Sequence, residues 1–453
     1  MHRAGEEIRS LSRFIITQRV AFVKLLKKYK KWTGSESLES RFREECLDRP
    51  ESFTKVHLEP LLEHWAEVLH ALRQPFQPKP EAGTRLGAAN ASEHQQSTEV
   101  PSESQRHSDA AIAQIHAAEA TSEPEFDTAL ATIPIGTAGN RALYWIHVDQ
   151  LVELQVLLLQ YLRLLTISLE ATAAGGSAPT REARQGEDTG VLLLGDTDTF
   201  GQQPNTTDVG QIEDSAGSCP TNAAGLARWA SIEEAVLAVG IESENTMSAK
   251  VKRKDLPALL NIERPSAIRQ VSLQSAGDAD FPASGNASAE SIVRNWLSDH
   301  PGVKPLVGIC SKRTRFVGLG NDASHGLWAT LDWDICMKKD LQSQLADDDW
   351  PVNSRRDAPR FPHAVLEVRQ EGADAGHFIQ MLDSSHLVSA KPPYLTHTTR
   401  IGLGSNLKQT ERVPGFSLET HAVYTCCRPA SMSSLPWVSH CLRLLEDVRH
   451  NVD

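Results

Sequence analysis

Apolar side chains in the first 75 residues recur at steps of three and four. Leu11, Phe14, Ile15, Phe22, Leu25, Leu26 and Tyr29 fall on one stripe of a helix. Trp32-Thr33-Gly34-Ser35 interrupts the stripe. A second helix is predicted over Leu58–Leu72, burying Leu61, Leu62, Trp65, Val68, Leu69 and Leu72. The pattern then lapses: residues 74–125 are rich in Pro, Ser, Gln, Ala and His, and 76–140 reads as a disordered linker.

Order resumes at Leu143-Tyr144-Trp145-Ile146-His147, followed by an amphipathic helix through Leu165. Short apolar runs of strand character follow at Val191–Leu194, Ala235–Ile241, Pro305–Ile309, Thr314–Val317, Leu327–Leu331 and Ala364–Val368. Alternation is plain in Leu331-Asp332-Trp333-Asp334-Ile335, which puts Asp332 and Asp334 on one face, and in Val365–Arg369. Spaced strands with few helices between them predict an antiparallel sheet or barrel rather than a doubly wound α/β fold. The chain is therefore expected to be α+β: a helical segment over 1–75, a linker over 76–140, and a strand-rich unit over 141–410. Disordered low-complexity insertions are expected near 171–190 and 200–225, and a tail over 411–453 with a short helix at Leu442–Val448.

At 453 residues there is room for two or three ordinary domains. A hydrophobic content of 40% and a mean hydropathy of −0.34 fit folded blocks separated by disordered stretches. With 46 Lys+Arg against 58 Asp+Glu the net charge is −12, which argues against a basic-surfaced protein with a nucleic-acid partner. The longest apolar stretch, around Leu151–Leu169, is broken by Glu153, Gln155, Gln160 and Arg163. It falls short of the roughly 20 apolar residues a membrane span needs. No secretory signal pattern opens the chain. The seven Cys show no CxxC spacing and read as reduced cytoplasmic thiols; the adjacent Cys426 and Cys427 lack a second ligand pair at finger spacing.

From Arg9 to Lys31 there are eight basic residues and no acidic one. Lys24, Lys27, Lys28 and Lys31 are spaced i, i+3, i+4, i+7 and so share a helix face. A solvated face, a membrane-surface or calmodulin-type helix, and a polyanion site all fit this spacing. Leu11-Ser12-Arg13-Phe14 followed by Phe22-Val23-Lys24-Leu25-Leu26-Lys27-Lys28-Tyr29-Lys30-Lys31 resembles the lysine-bearing helix of SPX domains, which sense inositol polyphosphates and pyrophosphates through a KxxKKxxK cluster. The resemblance implies that Lys24, Lys28 and Lys31, with Lys27 beside them, face the phosphates. SPX domains open with two further helices that supply a tyrosine and a lysine. This chain begins after them, so the resemblance implies an incomplete pocket.

Leu143-Tyr144-Trp145-Ile146-His147-Val148-Asp149 and the Leu-rich helix after it resemble the start of the vacuolar transporter chaperone (VTC) polymerase domain. Leu226-Ala227-Arg228-Trp229, Ser248-Ala249-Lys250-Val251-Lys252, Lys304-Pro305, Arg313-Thr314-Arg315-Phe316, Leu331-Asp332 and Phe361–Val368 resemble further family motifs in the family's order. The resemblance implies a triphosphate tunnel, an antiparallel barrel that makes polyphosphate from ATP with Mn²⁺ or Mg²⁺. Arg228, Lys250, Lys252 and Arg313 would bind polyphosphate or nucleotide, and Glu367 would hold the metal. Other motif residues are lost. A Glu-Arg-Lys strand reads Val239-Gly240-Ile241-Glu242-Ser243, Trp328 stands for an Arg, and Pro393 and Thr396 stand for lysines. These losses imply a degenerate tunnel.

The expected role is SPX-type sensing and non-catalytic support of vacuolar polyphosphate synthesis. Its partners would be inositol pyrophosphate or polyphosphate and VTC subunits, on the cytosolic face of the vacuole. An active polymerase, with Lys254, Arg315 and Arg369 replacing the lost cations, and a scaffold that binds no anion are the alternatives. His147, His363, His386 and His397 have no metal-ligand spacing, and no GxSxG, P-loop or GxGxxG is present.

Overall fold

The computed structural model describes residues 2–34, 37–49, 51–52, 56–73, 103–136, 139–165, 186–196, 224–230, 233–241, 246–260, 285–321, 325–356, 358, 360–372 and 376–389, with Leu418 and Ala422. The first helix, α1 (His2–Thr33), stops at Gly34, whose φ of +67° suits the left-handed helix end and whose N–H donates to Lys30 O at 2.9 Å. Helices α2 (Ser37–Phe42) and α3 (Glu59–Arg73) follow.

The buried face of α1 is not the predicted stripe. Ile8, Ser12 and Leu26 are buried, whereas Leu11, Phe14, Leu25 and Tyr29 are exposed. Gly5 permits close packing of α1 on α3, since a Cβ there would sit only 2.9 Å from the Trp65 ring. In α3, Leu62, Trp65 and Leu69 are buried as expected, but Leu61, Val68 and Leu72 are exposed.

Part of the expected linker is folded. Helices α4 (Glu103–Glu119) and α5 (Glu123–Thr132) form within 76–140, carried by Ile112, Ile115, Phe126 and Leu130, all buried in one cluster. Strand β1 (Asn140–His147) and helix α6 (Leu151–Tyr161) come next. The helix ends earlier than predicted, because Leu162–Leu164 leaves it as strand β2. Arg73 donates to the carbonyls of Leu159, Gln160 and Leu162 and so caps α6.

Strands β3 (Glu187–Asp196), β4 (Gly225–Trp229), β5 (Glu234–Val239) and β6 (Met247–Lys252) lead to helices α7 (Leu256–Leu259) and α8 (Gly285–Asp299). Strand β3 thus begins inside the expected insertion at 171–190. The two runs predicted at Pro305–Ile309 and Thr314–Val317 are one strand, β7 (Val303–Gly318), paired with β8 (His325–Lys338). Helix α9 (Trp350–Arg356), β9 (His363–Gly372) and α10 (His377–Asp383) complete the described elements. The short helix expected at Leu442–Val448 lies outside the described residues.

The fold is α+β, with one antiparallel sheet of nine strands ordered β1-β9-β8-β7-β3-β4-β5-β6; β2 pairs the far end of β7. Among the described residues the sheet is open, with β1 and β6 at its edges. Its outer face is apolar. Tyr144, Ile146, Phe316, Leu331, Leu366 and Val368 meet α1, α3 and α6 in one cluster, so the N-terminal helices share a core with the sheet. Leu192, Leu237, Cys310, Cys336, Leu341 and Trp350 form another. No described helix is long and apolar enough to cross a membrane.

Candidate functional site

Period-two alternation sends every second side chain of a strand to the inner face, and the register lines these up across strands. Arg141 pairs Arg369 and Leu143 pairs Glu367 between β1 and β9; Glu367 pairs Thr330 between β9 and β8. Asp332 pairs Arg313 between β8 and β7, Glu187 pairs Arg313 between β3 and β7, and Val191 pairs Arg228 between β3 and β4. Val236 then pairs both Arg228 and Lys250, and Glu234 pairs Lys252. The five residues expected from the tunnel resemblance, Arg228, Lys250, Lys252, Arg313 and Glu367, therefore share one sheet face. Arg315, Arg369 and Glu371 share it too.

Helix α5 crosses this face. At its N-terminal end Glu125 pairs with Lys250 at 2.7 Å, and in its middle Asp127 reaches Arg313 at 3.1 Å and Arg315 at 2.8 Å. Asp127 is 4% exposed. Burial pushes its carboxyl up, but Arg313, Arg315 and Arg228 outweigh that and hold it below the ordinary carboxylate range. At the C-terminal end Arg369 donates to the carbonyls of Ile133 at 2.6 Å and Pro134 at 2.8 Å, cations at a helix C-terminus being favoured by its dipole. Helix α5 contacts β4 and β5, while α4 contacts β8 and β9, so the hairpin spans the face.

Trp328, which the resemblance sets in place of an Arg, is fully buried. It packs with Ile112, Ile115, Phe126 and Leu130, and its indole N–H donates to Glu119. It anchors the hairpin to the sheet through apolar contact. Val239 is buried in β5 and Gly240 follows it at φ +69°, while Pro393 and Thr396 lie outside the described residues. Of the candidate replacement cations, Arg315 and Arg369 are on the face; Lys254 lies outside it, 3.2 Å from Asp348.

The expected Asp332–Asp334 pair does not exist. Two residues of β8, Asp334 and Ile335, bulge opposite Ser311 of β7. Asp332 makes a bidentate contact with Arg313 at 2.8 and 2.7 Å, while Asp334, at φ +50°, meets Arg355 at 3.1 Å.

The carboxylates present do not fit a divalent cation. Glu367 accepts from Arg141 Nε at 2.6 Å, Glu371 binds Arg369 at 2.8 Å and Asp332 binds Arg313, so each oxygen set is directed at a guanidinium. Among the described residues no three His, Cys, Asp or Glu side chains converge as metal ligands. A metal-assisted step needs at least one such carboxylate aimed at the cation.

The sensing candidates lie elsewhere. Lys24, Lys27, Lys28 and Lys31 are all exposed at the C-terminal half of α1, and Lys28 sits over the Trp32 ring at 4.5 Å. Arg13 and Arg19, in the same basic run, instead bind Glu153 of α6 and Asp149 just before it. No protein-family model matches the chain, and no curated protein matches it.

Proposed function

We propose that the chain is a non-catalytic accessory protein of phosphate and polyphosphate handling. In this reading its sheet is a degenerate triphosphate tunnel of the VTC type, and the lysine face of α1 senses inositol pyrophosphates as SPX domains do. The observation that supports it is Asp127, a buried carboxylate held between two guanidiniums on a face of Arg and Lys. Such a face suits a chain of phosphates, and the protein's own acidic helix occupies it. The α4–α5 hairpin lying across the charged face of the sheet is compatible with this reading.

Catalysis of phosphoryl transfer rests on cations and a metal aimed at charge that develops in the transition state. Here Arg313, Arg315 and Lys250 already hold carboxylates, and Glu367 holds Arg141. That arrangement favours binding over turnover. Partners of this reading are polyphosphate, inositol pyrophosphate and VTC subunits, the last giving access to the cytosolic face of the vacuolar membrane.

The test is polyphosphate synthesis by the full chain with ATP and Mn²⁺, beside Glu367→Ala. We expect no product from either. Polyphosphate made by the native chain and lost in Glu367→Ala overturns the non-catalytic reading. For the sensing half, calorimetry with an inositol pyrophosphate should show binding that weakens with salt and with Lys28→Ala; equal binding in both proteins removes α1 from the site.

A further inference from the structure

Seven cysteines occur in the chain, and two of them, Cys310 and Cys336, stand directly opposite each other on β7 and β8. Directly opposed residues of antiparallel strands have Cα atoms about 4.5–5.5 Å apart, inside the range a disulfide spans. Both side chains lie in the same outer-face cluster and each is 1% exposed. A hydrogen bond to Cys336, with burial, raises the Cys310 thiol; the same bond lowers Cys336 against the opposing effect of burial, with Arg355 adding to the lowering and Asp334 resisting it. The Cys336 sulfur is also 3.7 Å from Ser354 O on α9.

We infer that Cys310 and Cys336 form a reversible redox pair, closing to an intramolecular disulfide when a hydroperoxide oxidant reaches them. Three features set the pair apart from ordinary core thiols. The two residues already face each other across the ladder, so closure needs rotation about side-chain bonds and little backbone movement. The β8 bulge, Asp334 and Ile335, ends at the residue before Cys336, so the pairing beside it is already interrupted. Arg355 bridges Asp188 at 2.6 Å and Asp334 at 3.1 Å, its partners are part-exposed at 31% and 20%, and its charge favours both thiolates while those carboxylates oppose it. A guanidinium beside a thiol favours its thiolate.

The reaction balances with hydrogen peroxide as oxidant. The Cys336 thiolate attacks one peroxide oxygen, the O–O bond breaks, and the departing hydroxide takes a proton to leave as water, giving a sulfenic acid. The Cys310 thiol, losing its proton, attacks that sulfur; the S–S bond forms and the S–O bond breaks, releasing a second water. Two thiols lose two electrons and two protons in all. Closure would also withdraw the Cys336 S–H from Ser354 O.

The experiment is peroxide titration of the full chain to the dose that fully oxidises Cys46, which is exposed. Denaturation with an alkylating agent and proteolytic mapping follow. Lys312, Arg313 and Arg315 separate the two cysteines into different tryptic peptides. We expect one joined Cys310–Cys336 pair, lighter by two hydrogens and opened by dithiothreitol. Cys336→Ser, and independently Cys310→Ala, should leave the remaining thiol alkylatable, with folding checked by circular dichroism. Full alkylation of both residues after that dose overturns the inference, as does a bridge from either to Cys46, Cys219, Cys426, Cys427 or Cys441.

Discussion

Replacing Asp127 by Asn would keep its shape while removing its charge, and Arg313 and Arg315 would then share a buried site with less compensation. Removing one partner of a buried pair costs about 3–5 kcal/mol, so Asp127→Asn should lower the unfolding free energy from urea titration by that order and the midpoint with it. Tripolyphosphate should recover more of the loss in the variant than it adds to the native chain, because the ligand then replaces the missing charge. Equal gains in the two proteins would mean that the face does not take phosphate chains. The acid limb is set by the same residue. Its folded carboxyl is depressed, so the stability it contributes is present above the ordinary carboxylate range and lost as pH falls through the folded value.

His363 acts in the same direction at higher pH: burial, then the neighbouring His147, lowers it to about 4 from 6.5. The unfolded chain therefore binds the extra proton between those values, and stability declines as pH falls through that window. His363→Asn should flatten the decline, read from urea midpoints at pH 6.5 and 4.5. Arg228, Lys250, Arg313 and Glu367 were picked out in the sequence only by the tunnel resemblance, and the strand register places them on one face. Asp127 was not picked out, because no periodicity marks a partner that arrives from another element. Asp334 was misread because a bulge is invisible to alternation.

Among the elements, α1 divides in two. Its N-terminal half is tied to α6 by Arg13–Glu153, while its C-terminal half presents Lys24, Lys27, Lys28 and Lys31 to solvent. The triple substitution of Lys24, Lys28 and Lys31 by Ala should change stability by no more than about 0.5 kcal/mol. It should abolish salt-dependent binding of inositol hexakisphosphate; unchanged binding would assign that anion to another surface. In the sheet, a Cβ on Gly190 would lie 2.1 Å from Trp229 Cε2. Gly190→Ala should accordingly cost about 1–3 kcal/mol through forced repacking, measurable as a lower melting temperature.

Helix α5 was hidden by its composition, although Ser122 and Glu125 stand three apart before Phe126 and Leu130, a start signal with an apolar step after it. Ser122 Oγ indeed donates to Glu125 at 3.1 Å. The end of α6 was illegible because Leu162–Leu164 is apolar in either state, and only pairing with β7 decides it.

For the molecule as a whole, the shared core matters most. Ile8, Leu62, Trp65 and Leu69 sit with Leu154, Leu158, Phe316 and Leu366 in one cluster. Deleting residues 1–75 should therefore expose the outer face of α6 and the sheet, lower the melting temperature and raise binding of a hydrophobic dye. An unchanged melting temperature would show the helices to be an independent unit. The fold class was legible from strand spacing, but strand order was not, since it depends on which distant segments meet.

The pairing of β1 with β9 has a consequence for how the chain is made. Asn140 finds its partner Gln370 more than two hundred residues later, and β3 waits for β7 across a gap of over a hundred. During synthesis β1 emerges long before its ladder partner exists. Such non-local pairing is slow to close. The nascent chain must carry an unpaired strand bearing Tyr144, Trp145 and Ile146 until β9 has been made, and α6, which follows it closely, is the first element available to shelter it.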